Sequence, residues 1–195
     1  NRTGDSTLAA TVTDAVRAEL QQTRVVEVMS QRAMWNGLSR MQVGHGAALP
    51  DSVVRELAER EGAKAYVAGD IARIGGGYQL TARVVATATG GEALTVRATA
   101  TNDEGLIGAV EEIGKALRRG IGESLRSVRA APALSRVTTP SLPALRAYMA
   151  SLRAENDNQR SRGILLAKEA IALDSNFAAA WGALYVMHSN DGQVQ

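Results

Sequence analysis

The chain has 195 residues, enough for one domain of ordinary size and a smaller appendage. Hydrophobic residues make up 45% of it and charged residues 22%, which is typical of a folded globular protein and excludes a disordered or fibrous one. The net charge of +2 gives nucleic-acid binding no support, and the absence of cysteine excludes disulfides and thiolate sites. No apolar run approaches the roughly 18 residues of a membrane span, so we expect no membrane insertion by these residues.

The first sixty residues are predicted to form three helices and a short strand. Leucines and valines recur at helical spacing over residues 8–20, which predicts a first helix. The β-branched run at residues 25–28 predicts a buried strand. Ser30 is placed to cap a second helix, and Pro50 opens a third that ends at Gly62.

From residue 63 the hydrophobic period changes to two. Three alternating segments between residues 63 and 101 predict an antiparallel meander, with Gly75 to Gly77 as its first hairpin turn. An apolar stripe then predicts one long helix from about residue 102 to Leu125, which should cover one face of the sheet. The predicted fold class is therefore α+β, with a three-stranded meander and one further strand packed by helices.

Prolines mark a boundary in the last third of the chain. The apolar period lapses between residues 130 and 143, where Pro132, Pro140 and Pro143 lie among serines and threonines. We therefore predict an α+β domain over residues 1–130, a linker over 131–143 and a helical unit over 144–195. The helices of that unit are expected at about residues 142–155, 159–173 and 177–189.

The helical unit resembles a tetratricopeptide junction. Residues 170–174 (AIALD) lead into residues 177–184 (FAAAWGAL), whose Trp-x-x-Leu pair matches the start of a repeat in that family. Small residues at 163 and 170 match positions where helices touch, so Trp181 is expected to be buried between them. Three positions depart from the family pattern and make the first unit degenerate: Ala147, Ser175 and Tyr185.

Residues 1–128 resemble a second family, the TolB amino-terminal-like and FlgO-like α+β domains. The resemblance is carried by residues 1–5 (NRTGD), 25–30 (VVEVMS), 62–71 (GAKAYVAGDI) and 81–90 (TARVVATATG). It implies that the first strand of the family would lie just before Asn1. A sheet without that strand would have an exposed edge.

The combination also implies a biological setting. Such domains precede tetratricopeptide repeats in the C-terminal extracytoplasmic region of bacterial serine/threonine kinases, membrane-anchored transcriptional regulators and some adenylate cyclases. The resemblance therefore implies an accessory region of a larger, membrane-anchored protein on the periplasmic side of the inner membrane. Composition alone leaves a cytoplasmic location open.

Residue patterns offer no candidate for catalysis, metal binding or a cofactor. Gly75 to Gly77 lie between two strands, whereas a phosphate-binding loop joins a strand to a helix and carries Gly-Lys-Ser/Thr. His45 and His188 lack a second ligand at helical spacing, and the glutamate pairs are typical of solvated helix faces. A basic run could contact phosphates or anionic lipid, but a solvated face is favoured for its members: Arg118, Arg119, Arg126, Arg129 and Arg136.

We therefore expect a non-catalytic sensory or protein-interaction module that binds a peptide or protein partner through its tetratricopeptide helices. The first helix of each hairpin lines the groove of such arrays, which selects four candidates: Tyr148, Leu152, Glu155 and Val186. The alternative is an envelope-assembly or structural factor that forms homo-oligomers through the sheet edge of the α+β domain. An enzyme is disfavoured because no nucleophile and base, metal cluster or cofactor fingerprint is found.

Overall fold

A computed structural model describes residues 1–44, 49–131, 134 and 139–189. Within these residues it has eight helices and a three-stranded antiparallel sheet, which confirms a mixed α+β fold. The helices are α1 (Ser6–Leu20), α2 (Gln31–Arg40), α3 (Asp51–Arg60), α4 (Leu106–Gly120), α5 (Leu125–Ala130), α6 (Leu142–Asn156), α7 (Arg160–Leu173) and α8 (Ala178–Ser189). The strands are β1 (Ala65–Ile74), β2 (Gly77–Ala86) and β3 (Glu92–Ala100).

Local capping chemistry starts the first two helices. The carboxylate of Asp5 accepts hydrogen bonds from the backbone N–H groups of Thr7 and Leu8, at 2.9 and 3.0 Å. Ser30 caps α2 as predicted, its hydroxyl accepting from the N–H of Ala33 at 3.2 Å. Each cap satisfies a donor that the first turn of a helix leaves unpaired.

The predicted meander is confirmed. The strands pair in the order β1-β2-β3, with Ile71 opposite Leu80 and Leu80 opposite Ala98. Gly75 adopts a φ of +59° in the tight turn between β1 and β2, a conformation that a residue with a side chain rarely takes. One face of this sheet packs against α4, whose contacts are with β2 and β3.

The strand predicted at residues 25–28 is wrong. These residues form no strand, and Val25 and Val26 are about half exposed. The chain bends directly after α1, where the hydroxyl of Thr23 accepts from the N–H of Val25 at 3.2 Å. β-Branched residues favour strands only where a neighbouring strand is available to pair with them. A parallel bridge from Arg2 occupies the outer edge of β1 at Ala72 instead.

The long helix predicted up to Leu125 is interrupted. α4 ends at Gly120, Gly122 takes a φ of +95°, and α5 begins with Ser124 as its cap. The hydroxyl of Ser124 accepts from the N–H of Ser127 at 3.2 Å. The apolar stripe therefore runs through two helices that a left-handed glycine separates.

α1 lies between α4 and α6, and side chains of the two predicted units are in contact. Arg146 donates to Asp5 at 2.8 Å, and Arg153 pairs with Asp14. Part of the linker, residues 132–133 and 135–138, lies outside the described residues, but Leu134 within it is fully buried in the same core. The division into two separable domains stays a prediction. The two predicted units are nevertheless in contact through α1.

Candidate protein interaction surface

The four candidate residues lie on α6 and α8 in different environments. Tyr148 and Leu152 are half-buried and pack against the core. The ring of Tyr148 lies 4.8 Å from that of Phe177 at a tilt of 59°, and burial raises the pKa of its hydroxyl. Part of its surface is therefore already used within the chain.

The other two candidates lie apart from that aromatic contact. Glu155 accepts from Arg160 at 3.3 Å across the turn between α6 and α7, which offsets part of its charge. Val186 is 53% exposed on α8. It follows Phe177 by nine residues, or about 13 Å along a helix axis, so it does not join Tyr148 in one compact patch.

The predicted burial of Trp181 is wrong. Its side chain is 52% exposed, and the indole N–H donates to the carbonyl of Ser175 at 3.0 Å. Phe177 is fully buried instead, and the sulfur of Met187 lies 3.3 Å from where a Cβ on Gly163 would be. Successive residues of a helix point about 100° apart. Because residue 180 is buried, residue 181 points away from α7.

This rotation of α8 exposes three large side chains, Trp181, Tyr185 and Val186, which we call the α8 face. Tyr185 is the most exposed of them, at 75%. Trp181 and Tyr185 are four residues apart and therefore neighbours on the helix surface. Neighbouring exposed aromatic side chains such as Trp181 and Tyr185 mark an interaction site more often than scattered single residues do.

A buried charge cluster was missed in the sequence. The guanidinium of Arg118 donates two hydrogen bonds to Glu123, at 2.8 and 2.7 Å, and its side chain is 1% exposed. The predicted solvated face is therefore wrong for Arg118. The available signal was its position four residues after Gly114 and eight after Val110, on the apolar stripe of α4.

Glu19 of α1 is the third member of this cluster. Its side chain is 1% exposed, and one of its oxygens lies 3.9 Å from Arg118. Burial and the nearby charge of Glu111 raise the pKa of Glu19 to about 6, whereas the hydrogen bonds from Arg118 lower that of Glu123 to about 2. The side chains of the cluster are enclosed, which leaves a substrate no access to their charges.

Other potential sites carry little chemistry. Arg119 and Arg129 line a groove of about 450 Å³ between α4 and α5, but Glu111, Glu112 and Lys115 line it too, so the mixed charges do not favour an anion. No group of acidic or histidine side chains suited to a metal ion is present in the described part of the chain, and His45 lies outside that part. No helix among the residues described is long and apolar enough to cross a bilayer.

Comparison with known proteins adds no relative. No protein-family model matches the chain, and neither the curated proteins nor the solved structures contain a match. Both resemblances noted in the sequence therefore stay hypotheses.

Proposed function

We propose that the chain is a non-catalytic interaction module of a bacterial signalling protein, in which tetratricopeptide-like helices bind a peptide or protein partner. The α8 face is the observation that carries this proposal, because exposed Trp and Tyr are the residues that most often supply binding energy at protein interfaces. The α+β domain would hold these helices through α1. In this proposal the parent protein is membrane-anchored, and the module lies on the periplasmic side.

The proposed partner contributes an apolar anchor, such as the apolar side of an amphipathic helix. The hydrogen bond to Ser175 fixes the indole of Trp181 before binding, which lowers the entropy lost when a partner packs on it. Leu152 and Glu155 on α6 would add a second, partly charged contact. No cofactor takes part in this mode of binding.

The binding proposal can be tested with peptides selected from a random display library against the whole chain and then synthesised. We expect replacement of Trp181 and Tyr185 by Ala to weaken binding of the selected peptides by about 30-fold or more, since two aromatic anchors are lost. The Kd would be measured by calorimetric titration. The matched control is Leu165→Ala, which removes a side chain 68% exposed on α7 and outside the α8 face.

The control variant should bind like the unmodified chain. Equal weakening by both variants would show that the loss is not specific to the α8 face. Selected peptides that bind equally well to all variants would contradict the proposed surface.

A second candidate function is supported by the outer edge of β1. Within the residues described, Arg2 alone bridges this edge, its N–H donating to the carbonyl of Ile71 at 2.8 Å. Val67 on the same strand is 41% exposed. An open strand edge pairs readily with another strand, which would support a homo-oligomeric structural factor.

Sedimentation velocity from micromolar to millimolar concentration would test this alternative. We expect association to increase with concentration and Val67→Lys to abolish it, because a charge at a paired edge must lose its hydration. Val26→Lys is the control, since Val26 is similarly exposed but lies outside the sheet. A monomer at every concentration would remove this candidate.

A further inference from the structure

Glu19 of α1 packs closely against α4 at Gly114. A Cβ on Gly114 would lie 2.6 and 2.8 Å from Cβ and Cγ of Glu19, so the glycine is what admits this side chain. Gln22 donates to the other carboxylate oxygen at 3.1 Å. Because the stem is fixed on one side by α4, the carboxylate reaches water only if α1 and α4 move apart.

The charges around Glu19 do not balance when it is ionised. Arg118 is already paired with Glu123 through two hydrogen bonds, and Lys115 pairs with Glu111. The nearest nitrogen of Arg118, 3.9 Å away, is beyond hydrogen-bond distance. An ionised Glu19 therefore adds one uncompensated negative charge at a buried position, whereas a protonated Glu19 leaves the group neutral.

We propose that Glu19 makes the contact between α1 and α4 sensitive to protons. The contact is tight when the carboxyl group is protonated and loosens when it ionises, because the ion gains hydration only by separating the two helices. α1 also holds α6 through Asp5 and Asp14, which pair with Arg146 and Arg153. Ionisation would therefore change how the interaction helices are held, which goes beyond the binding function proposed above.

The titration of Glu19 falls in the weakly acidic range. The pKa of Glu19 is raised from 4.5 to about 6, so the stabilisation is fully present below pH 4.5 and is lost as pH rises through about 6. If the carboxyl has its ordinary pKa when the contact is open, linkage predicts that opening becomes about 8-fold more frequent between pH 5 and pH 7.5.

Native-state hydrogen exchange of the whole chain tests this proposal. After correction for intrinsic rates, amides in the last two turns of α1 should exchange about 8-fold faster at pH 7.5 than at pH 5. Glu19→Gln keeps the shape and hydrogen bonding of the side chain without its charge, so the difference should disappear. Glu27→Gln, which alters an exposed glutamate beyond the end of α1, should retain it.

Carboxyl ¹³C titration of the unmodified chain by NMR provides a measurement that needs no variant. The Glu19 signal should titrate near pH 6, with the same midpoint as the change in α1 exchange. A Glu19 midpoint at or below 4.5, or a pH difference that persists in Glu19→Gln, would overturn the proposal. Loss of the difference in Glu27→Gln would overturn it as well.

Discussion

Arg118→Met is expected to lower the free energy of unfolding at neutral pH by about 3 to 5 kcal/mol. Methionine replaces most of the volume of the stem but leaves Glu123 without the two hydrogen bonds that hold its pKa at about 2. Glu19 loses its nearest cation at the same time. The carboxylate of Glu123 would then be buried without a counter-charge, which is the costly way to break a buried ion pair. Chemical denaturation at neutral pH would measure the loss.

The next residue provides the matched control. Arg119 is exposed, and Arg119→Met should change the free energy of unfolding by no more than about 0.5 kcal/mol. The loss of stability in Arg118→Met should also be smaller when Glu123→Gln is already present, because no carboxylate at position 123 is then left without its counter-charge. Equal losses at positions 118 and 119, or no coupling to Glu123, would show that the cluster does not stabilise the fold.

Phe177→Ala is expected to cost about 3 to 5 kcal/mol, because it empties a fully buried aromatic site. Phe177 precedes α8 and packs on Tyr148 of α6, so its ring joins the last helix to the hairpin before it. The loss should destabilise α6 to α8 first. Thermal denaturation followed by circular dichroism would measure it, and fluorescence of Trp181 in a Trp35→Phe background would report on α8 alone.

Trp181→Ala is the control for this prediction. The indole is 52% exposed, so its removal should cost about 1 kcal/mol or less, chiefly through the lost hydrogen bond to Ser175. A loss in Trp181→Ala as large as that in Phe177→Ala would contradict the observed rotation of α8. Unchanged stability in Phe177→Ala would also contradict this orientation of α8.

The burial of Phe177 rather than Trp181 shows where prediction from the sequence stops. Both residues lie within one apolar stretch, and the Trp-x-x-Leu spacing favoured the tryptophan. The choice depends on which side of α8 faces α7, and the side that carries Met187 is the one that packs beside Gly163. All four candidate interaction residues were chosen from helix position alone, and how exposed each one is depends on the same packing.

Local chemistry in the sequence determined the parts of the fold whose causes are a few residues apart. Ser30 caps α2 whatever lies around it, and the alternating segments on either side of Gly75 can form little other than a hairpin. Pairing between distant segments was decided only by the tertiary structure. Residues 25–28 have strand propensity but no strand beside them, and Arg118 is buried because α1 brings Glu19 and the turn brings Glu123 to it. The free energy of such a pairing depends on a partner far along the chain, so the local sequence around either residue does not predict it.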